Sequence, residues 1–146
     1  MARILPGLLL IATLPLAGCN TDSVAPVAVS AAPGMASLTL TRSNDFYAAG
    51  VKADVALNGT QITSLAIGDT YRTAVAPGSE LLTVSCVCGP GSYTVKFNAE
   101  AGKAYGFAIS PRNEQFAAQM TGGLIGVAAD TSANGTQSGT FQITRQ

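Results

Sequence analysis

Residues 55–84 read VALNGTQITSLAIGDTYRTAVAPGSELLTV, and three turn signals divide this stretch into short segments. Asn58-Gly59 supplies the two residues of positive φ that a type I′ hairpin turn requires. The segment TQITSL (60–65) is therefore expected to pair with the segment that ends at Leu57. Gly68-Asp69 and Pro77-Gly78 turn the chain twice more. The stretch therefore predicts consecutive short β-strands.

Short segments separated by turn residues continue on both sides of this stretch. In SLTLTR (37–42), Leu38 and Leu40 alternate with polar residues, and SYTVKFN (92–98) and AYGFAIS (104–110) are read as further strands. Turn signals recur every 8 to 12 residues, and extended helical periodicity is missing. The sequence predicts an all-β fold, a small immunoglobulin-like antiparallel β-sandwich over residues 36–146.

The last third of the chain has a less regular pattern. Pro111 is expected to end the strand before it, and EQFAAQM (114–120) fits one or two helical turns. GGLIGVAA (122–129) is interpreted as a glycine-rich strand and loop, because it is too short to span a membrane. GTFQITRQ (139–146) is expected to form the closing strand.

The amino terminus has the pattern of a secretory signal. Arg3 precedes an apolar run from residue 4 to residue 16, which is shorter than the roughly 20 residues of a membrane-spanning helix. Cys19 directly follows Leu16-Ala17-Gly18, and LAGC resembles the lipobox of bacterial lipoproteins. That resemblance implies cleavage of residues 1–18 and lipidation of Cys19, which anchors the chain to a membrane. Residues 19–35 then form a flexible tether.

Composition excludes several classes of function. The 146 residues are 47% apolar and 11% charged, against a usual charged share of about 25%. Lys+Arg and Asp+Glu both number 8, so no charge excess indicates nucleic acid as a partner. There is no histidine, the commonest general base and metal ligand. No residue pattern indicates a cofactor or a metal.

SCVCGPG (85–91) is the one cluster that could carry chemistry. On a straight strand the Cα atoms of Cys86 and Cys88 would lie about 6.6 Å apart. That distance is near the upper limit for a disulfide, so a bridge requires a bend, which the following Gly-Pro-Gly turn could provide. Four interpretations stay open: two buried reduced thiols, a structural disulfide, catalytic thiol exchange and half of a zinc site.

The remaining candidate residues have no spacing that defines a site. The carboxylates are expected at turns and on outward strand positions; they are Asp45, Asp54, Asp69, Glu80, Glu100 and Glu114. Three aromatic residues near predicted turns could form a binding surface; they are Phe46, Tyr47 and Tyr71. Nucleophile elbows, phosphate loops and acidic metal-binding loops are missing from the sequence.

The order of strands and turns from residue 36 to residue 110 resembles that of bacterial lipoprotein domains related to the PEGA type. The matching positions are Asn58, Gly59, Leu65, Gly68, Tyr71, Pro77, Gly78, Leu82, Ala101, Gly102, Lys103 and Tyr105. This resemblance implies a small extracytoplasmic sandwich and transfers no catalytic residue. Ser79 and Gly106 depart from the family pattern.

These observations lead to one functional hypothesis and one alternative. We expect a lipid-anchored protein of the cell envelope, held at the outer membrane and facing the periplasm, because Asn20 rather than Asp follows Cys19. Its role would be non-enzymatic, either structural or the binding of an envelope protein or glycan, for example through a strand edge. The alternative is an extracytoplasmic thiol/disulfide-active protein or a hydrolase with an unrecognised site.

Overall fold

The computed structural model of the chain describes residues 32–114, 116–118, 120–123, 125 and 135–146. The predicted signal peptide, Cys19 and the predicted tether up to residue 31 lie outside these residues. Eight strands are present: β1 (Ala36–Arg42), β2 (Ala53–Leu57), β3 (Thr60–Leu65), β4 (Thr70–Val75), β5 (Gly78–Ser85), β6 (Ser92–Ala99), β7 (Ala104–Pro111) and β8 (Phe141–Arg145).

The strands form two four-stranded sheets that pack as a sandwich, which confirms the predicted all-β class. One sheet has the order β4-β1-β7-β8 and the other has the order β3-β2-β5-β6. All neighbouring strands are antiparallel except β1 and β7, where Leu38 lies opposite Tyr105 in a parallel pair. The sandwich is thus mainly antiparallel, as predicted, and its one parallel pair joins strands far apart in sequence.

Alternation along the strands builds a core between the sheets. In β1 the inward-facing residues Leu38 and Leu40 are fully buried, and in β7 the same holds for Phe107 and Ile109. The ring of Phe97 from the opposite sheet packs against Phe107, with centroids 5.1 Å apart. Each fully buried side chain of this kind contributes about 1.5 to 3 kcal/mol, so this shared layer holds the sheets together.

The two ends of the sandwich differ in construction. The N-terminal end consists of residues 32–35 and the turns at 58–59, 76–77 and 100–103, and Gly102 N–H donates to the Met35 carbonyl at 2.9 Å. The opposite end, called the loop end here, consists of loop 43–52, turns 66–69 and 86–91, and the described residues between β7 and β8, which are 112–114, 116–118, 120–123, 125 and 135–140. The long connections, and the space for a site, are at the loop end.

The last third agrees with expectation at Pro111 and differs from it further along the chain. β7 ends at Pro111, which lies opposite Phe141 of β8; a proline is tolerated at a strand terminus, where its missing N–H leaves no ladder bond unmade. A helix, α1, contains residues 113–114, 116–118, 120–123 and 125. It extends beyond 114–120 and takes in positions assigned above to a glycine-rich strand. No helix within the described ranges is long and apolar enough to cross a membrane.

Candidate functional site

A buried arginine organises the loop end. Arg42 is the last residue of β1, and its side chain is only 1% exposed. Its Nη1 donates to the carbonyls of Val51 and Leu65, the latter at 2.9 Å, and its Nη2 donates to the carbonyl of Ala48. The guanidinium thereby ties loop 43–52 to the end of β3 in the other sheet.

An aromatic ring and a nearby carboxylate compensate the charge of Arg42. Its Cζ lies 4.6 Å from the centroid of the Phe141 ring, a cation–π arrangement. Burial lowers the pKa of Arg42, and the negative charge of Asp69 partly offsets this effect. A guanidinium stays protonated at neutral pH even so, and it serves here as a fixed donor of hydrogen bonds.

A second buried cluster fixes residues 135–139, which precede β8. The hydroxyl of Ser138 is fully buried and donates to the Gly135 carbonyl at 2.6 Å. Ser138 N–H donates to the Ser92 carbonyl at 2.9 Å, so residues 136–138 run beside the start of β6. A Cβ added to Gly91 would lie 2.6 Å from the backbone nitrogen of Gly139, which shows how closely the two backbones approach.

Among the described residues, two clefts open at the loop end. The larger, about 350 Å³, lies between loop 43–52 and the ends of β7 and β8; it is lined by Asp45, Phe46, Tyr47, Ser110, Pro111, Asn113 and Gln142. The smaller, about 250 Å³, is polar and is lined by Tyr93, Arg112, Glu114, Gln137 and Gln142. Arg112 is itself buried and donates from Nη1 to the Gly139 carbonyl at 3.2 Å.

Exposed apolar side chains concentrate at the same end. Six large hydrophobic residues are exposed among those described, and five belong to the loop end: Phe46, Val87, Phe116, Met120 and Ile125. Phe46 and Met120 are 91% and 73% exposed. The ring of Phe116 packs against Tyr47 with centroids 4.6 Å apart and so joins α1 to loop 43–52. Such clustering is typical of interaction surfaces.

The structure brings the two candidate cysteines together at this end. Cys86 and Cys88 form a disulfide, with Cα atoms 5.1 Å apart. The chain leaves β5 at Ser85, which shortens the separation from the straight-strand value and provides the bend that the bridge requires. Cys86 is 7% exposed and belongs to the core, whereas Cys88 is exposed in the turn.

This disulfide contributes little to the stability of the fold. It closes a loop of only Cys86, Val87 and Cys88. In the chain-entropy account the stabilisation from such a loop is about 1.6 kcal/mol, compared with about 3 kcal/mol for a 15-residue loop. A local bridge of this kind shapes the turn rather than holding the two sheets together.

The predicted carboxylates do not converge on one site. Asp54 accepts a hydrogen bond from Ser64, Asp45 from Ser43 at 2.6 Å, and Asp69 from the Ala66 N–H at 2.8 Å. Among the described residues, no group of three His, Cys, Asp or Glu side chains is placed to hold a metal ion. The individual bonds indicate local roles in turns and strands.

Glu80 departs from its expected outward position. It is buried at a core-facing position of β5 and accepts a hydrogen bond from Nδ2 of Asn58 at 2.6 Å, whose Oδ1 accepts from the Leu81 N–H. The pair closes the hairpin turn at the N-terminal end. Glu80 therefore has a structural partner far from the loop end.

The predicted aromatic surface is only partly present. Phe46 is exposed, whereas Tyr47 is half-buried beneath α1 and Tyr71 is half-buried against the core. Sequence reasoning missed Arg42, Arg112 and Ser138. For Arg42 the signal was available, because it continues the alternation of Leu38 and Leu40 on the buried face of β1.

Comparison with solved structures shows a weak likeness in fold. No protein-family model and no curated protein matches the chain. A solved structure described as "NMR structure of the protein from Eubacterium rectale" aligns with a TM-score of 0.42 and 12% identity, over 77% of this chain and 88% of that chain.

Proposed function

We propose that this protein is a lipid-anchored module of the bacterial cell envelope, related to PEGA-type domains, that binds another envelope protein through the loop end of its sandwich. The anchor would be Cys19, at the outer membrane and facing the periplasm. This proposed role is one of binding: the protein holds its partner near the membrane, and the loop-end surface itself carries out no chemical step.

One observation carries the proposal: the exposed apolar side chains lie at the end of the sandwich opposite the first described residues. β1 begins at Ala36, next to the proposed tether, and ends at Arg42, next to loop 43–52. Seven strand residues rise about 23 Å. A chain tethered before Ala36 would therefore present Phe46 and Met120 away from its attachment point, where a partner has access.

A protein partner fits this surface better than a glycan does. Burying exposed Phe and Met side chains yields about 25 cal/mol per Å² of apolar area, which is the usual source of affinity between proteins. The polar cleft beside Arg112 and Glu114 would lie at the rim of such an interface. Binding of a soluble envelope glycan there, with no captured protein, is the competing outcome.

Site-specific photocrosslinking in intact cells tests the binding surface. A photoreactive phenylalanine analogue is placed at position 46, 120 or 81 of the full-length chain. Leu81 is the matched control, because it is also an exposed apolar residue (43%) but lies on β5 away from the loop end. We expect one discrete protein adduct from positions 46 and 120 and none from position 81. Equal labelling at all three positions, or none at any, contradicts the proposal.

The anchor has its own test. Mass spectrometry of the mature protein should show a chain that begins at Cys19 with acyl groups on that residue. The Cys19→Ala variant should lose membrane association on fractionation. A variant that is processed and retained like the parent contradicts lipid anchoring, whatever the crosslinking result.

A further inference from the structure

The two sulfurs of the Cys86–Cys88 disulfide lie in contrasting surroundings. Cys86 belongs to the core cluster, whereas Cys88 lies at the surface beside Val87, which is 92% exposed. In thiol–disulfide exchange the incoming thiolate must come into direct contact with one of the two sulfurs. The protein interior shields Cys86, so Cys88 is the sulfur that an external thiol can approach.

Each sulfur also has a hydrogen-bond donor. The Cys88 N–H donates to Cys86 Sγ at 3.1 Å. The hydroxyl Oγ1 of Thr140 lies 3.2 Å from Cys88 Sγ, and a disulfide sulfur carries no hydrogen, so Thr140 is the donor in this pair. Donors at these positions stabilise negative charge on sulfur, which develops when the disulfide opens.

We propose that Cys86 and Cys88 form an exchangeable disulfide that reacts with exposed thiols of other proteins through Cys88. In the first step a partner thiolate forms a bond to Cys88 Sγ. The Cys86–Cys88 bond breaks, and its electron pair stays on Cys86 Sγ as a thiolate held by the Cys88 N–H.

A second thiolate of the partner completes the reaction. It attacks the partner sulfur of the mixed disulfide, and the electron pair leaves on Cys88 Sγ beside the Thr140 hydroxyl. The partner gains one disulfide and gives up two electrons, and this protein becomes the Cys86, Cys88 dithiol. The reverse sequence uses the same contacts.

The fold tolerates opening of this disulfide. The bridge spans only one intervening residue and links no two strands. The turn is held independently, because Ser85 pairs with Ser92 at its base and Ser138 N–H donates to the Ser92 carbonyl. A bridge that the sheets do not depend on is suited to repeated cleavage. This inference does not rest on the proposed anchor or on the proposed partner surface.

Glutathione serves as the probe thiol. The full-length, detergent-purified chain is incubated under native conditions with a series of reduced-to-oxidised glutathione ratios and quenched with N-ethylmaleimide. Tandem mass spectrometry then locates glutathione and maleimide on each cysteine, while circular dichroism follows the fold. We expect reversible reduction without unfolding, with glutathione on Cys88 and maleimide on Cys86 in the trapped intermediate.

Two outcomes would overturn the proposal in the unmodified protein. One is reduction that occurs only when denaturant unfolds the chain, which would show a purely structural bridge. The other is glutathione distributed equally between Cys86 and Cys88, which would contradict the asymmetry.

Variants provide an independent test of the same asymmetry. Cys86→Ser leaves the exposed thiol, and Cys88→Ser leaves the buried one. We expect Cys86→Ser to form a glutathione adduct at least about tenfold faster than Cys88→Ser, because reactivity follows exposure and thiolate content. Equal rates in two folded variants would contradict the assignment of Cys88.

Substitution of Thr140 provides a further test, because the shielding of Cys86 by the protein interior would not change its result. In the Cys86→Ser background, Thr140→Val removes the hydroxyl at nearly constant shape, and Thr140→Ser retains it. We expect Thr140→Val to shift the pH midpoint of Cys88 alkylation upward by about one unit, and Thr140→Ser to leave it unchanged. An unchanged pH midpoint of Cys88 alkylation in both variants would show that the Thr140 hydroxyl does not stabilise the Cys88 thiolate.

Discussion

At the scale of single residues, Arg42 determines how the loop end is assembled. Its guanidinium is buried among the backbone carbonyls of Ala48, Val51 and Leu65 and stacks on Phe141. Carbonyls buried without a donor are costly, about 1 to 3 kcal/mol each. One side chain thus donates to three backbone carbonyls in two segments of the chain, and it does so from the end of β1.

Replacing Arg42 should loosen loop 43–52 and weaken the fold. We expect Arg42→Met to lower the free energy of unfolding by about 2 to 4 kcal/mol, because it retains apolar contact with Phe141 but removes the guanidinium donors to the three carbonyls. Urea denaturation measures the loss. Hydrogen exchange should accelerate at the Val51 amide, which bonds the Ala48 carbonyl.

The exposed Arg72 of β4 is the matched control for this substitution. Arg72→Met removes the same charge and should change the stability by no more than about 0.5 kcal/mol. Equal effects of the two substitutions would show that the loss comes from charge rather than from the carbonyl bonds.

Buried charges were the residues that sequence reasoning placed least well. Arg42 follows Leu38 and Leu40 on the inner face of β1, and Glu80 precedes Leu82 and Val84 on the inner face of β5. Alternation placed both side chains inside, whereas their charge favoured the surface. The partners that make burial possible come from distant loops, and local sequence does not reveal them.

At the scale of elements, strands bounded by local turn signals were predictable and long-range pairings were not. Asn58-Gly59 has positive φ at both residues and joins β2 to β3 as expected. The parallel pairing of β1 with β7, and the placement of residues 136–138 beside β6, depend on contacts between distant segments. The disulfide geometry likewise depended on where β5 ends.

The attachment of residues 135–140 to the sandwich should depend on Gly139. Its φ is 87°, and an added Cβ would lie 2.9 Å from the carbonyl carbon and oxygen of Gly91. We expect Gly139→Ala to destabilise the fold by about 2 to 4 kcal/mol, since backbone strain and a backbone clash add. Thermal unfolding measures this loss.

Gly102→Ala separates the two contributions. Gly102 has a similar φ of 76°, but an added Cβ there meets no atom within 4 Å. It should cost only the strain of the left-handed conformation, about 1 to 2 kcal/mol. If Gly139→Ala proves no worse than Gly102→Ala, the close approach of the two backbones is unimportant.

At the scale of the whole molecule, the sandwich places the first described residues and the exposed apolar side chains at opposite ends. The first described residues and the short turns occupy one end, while the buried arginines, the clefts, the disulfide and five exposed apolar side chains occupy the other. Core packing fixes the two ends relative to each other, because both sheets run the full length between them. The orientation of the domain at a membrane therefore determines what the loop end can reach.

The lipid anchor proposed at Cys19 predicts that the N-terminal end lies nearer the bilayer. A flexible tether of residues 19–31, which precede the described chain, would have a root-mean-square length of about 18 to 22 Å. That length is comparable to the 23 Å or so of β1, so the domain reorients but remains closest to lipid at its N-terminal end on average.

In lipid nanodiscs containing a paramagnetic headgroup, the amide signals of Gly59 and Gly102 should broaden more than those of Phe46 and Val87. All four residues are exposed, so a water-soluble paramagnetic agent should affect them alike and serves as the control. Stronger broadening at Phe46 and Val87 would instead mean that the exposed apolar side chains insert into the bilayer, and the loop end would then be a membrane contact rather than a protein-binding surface.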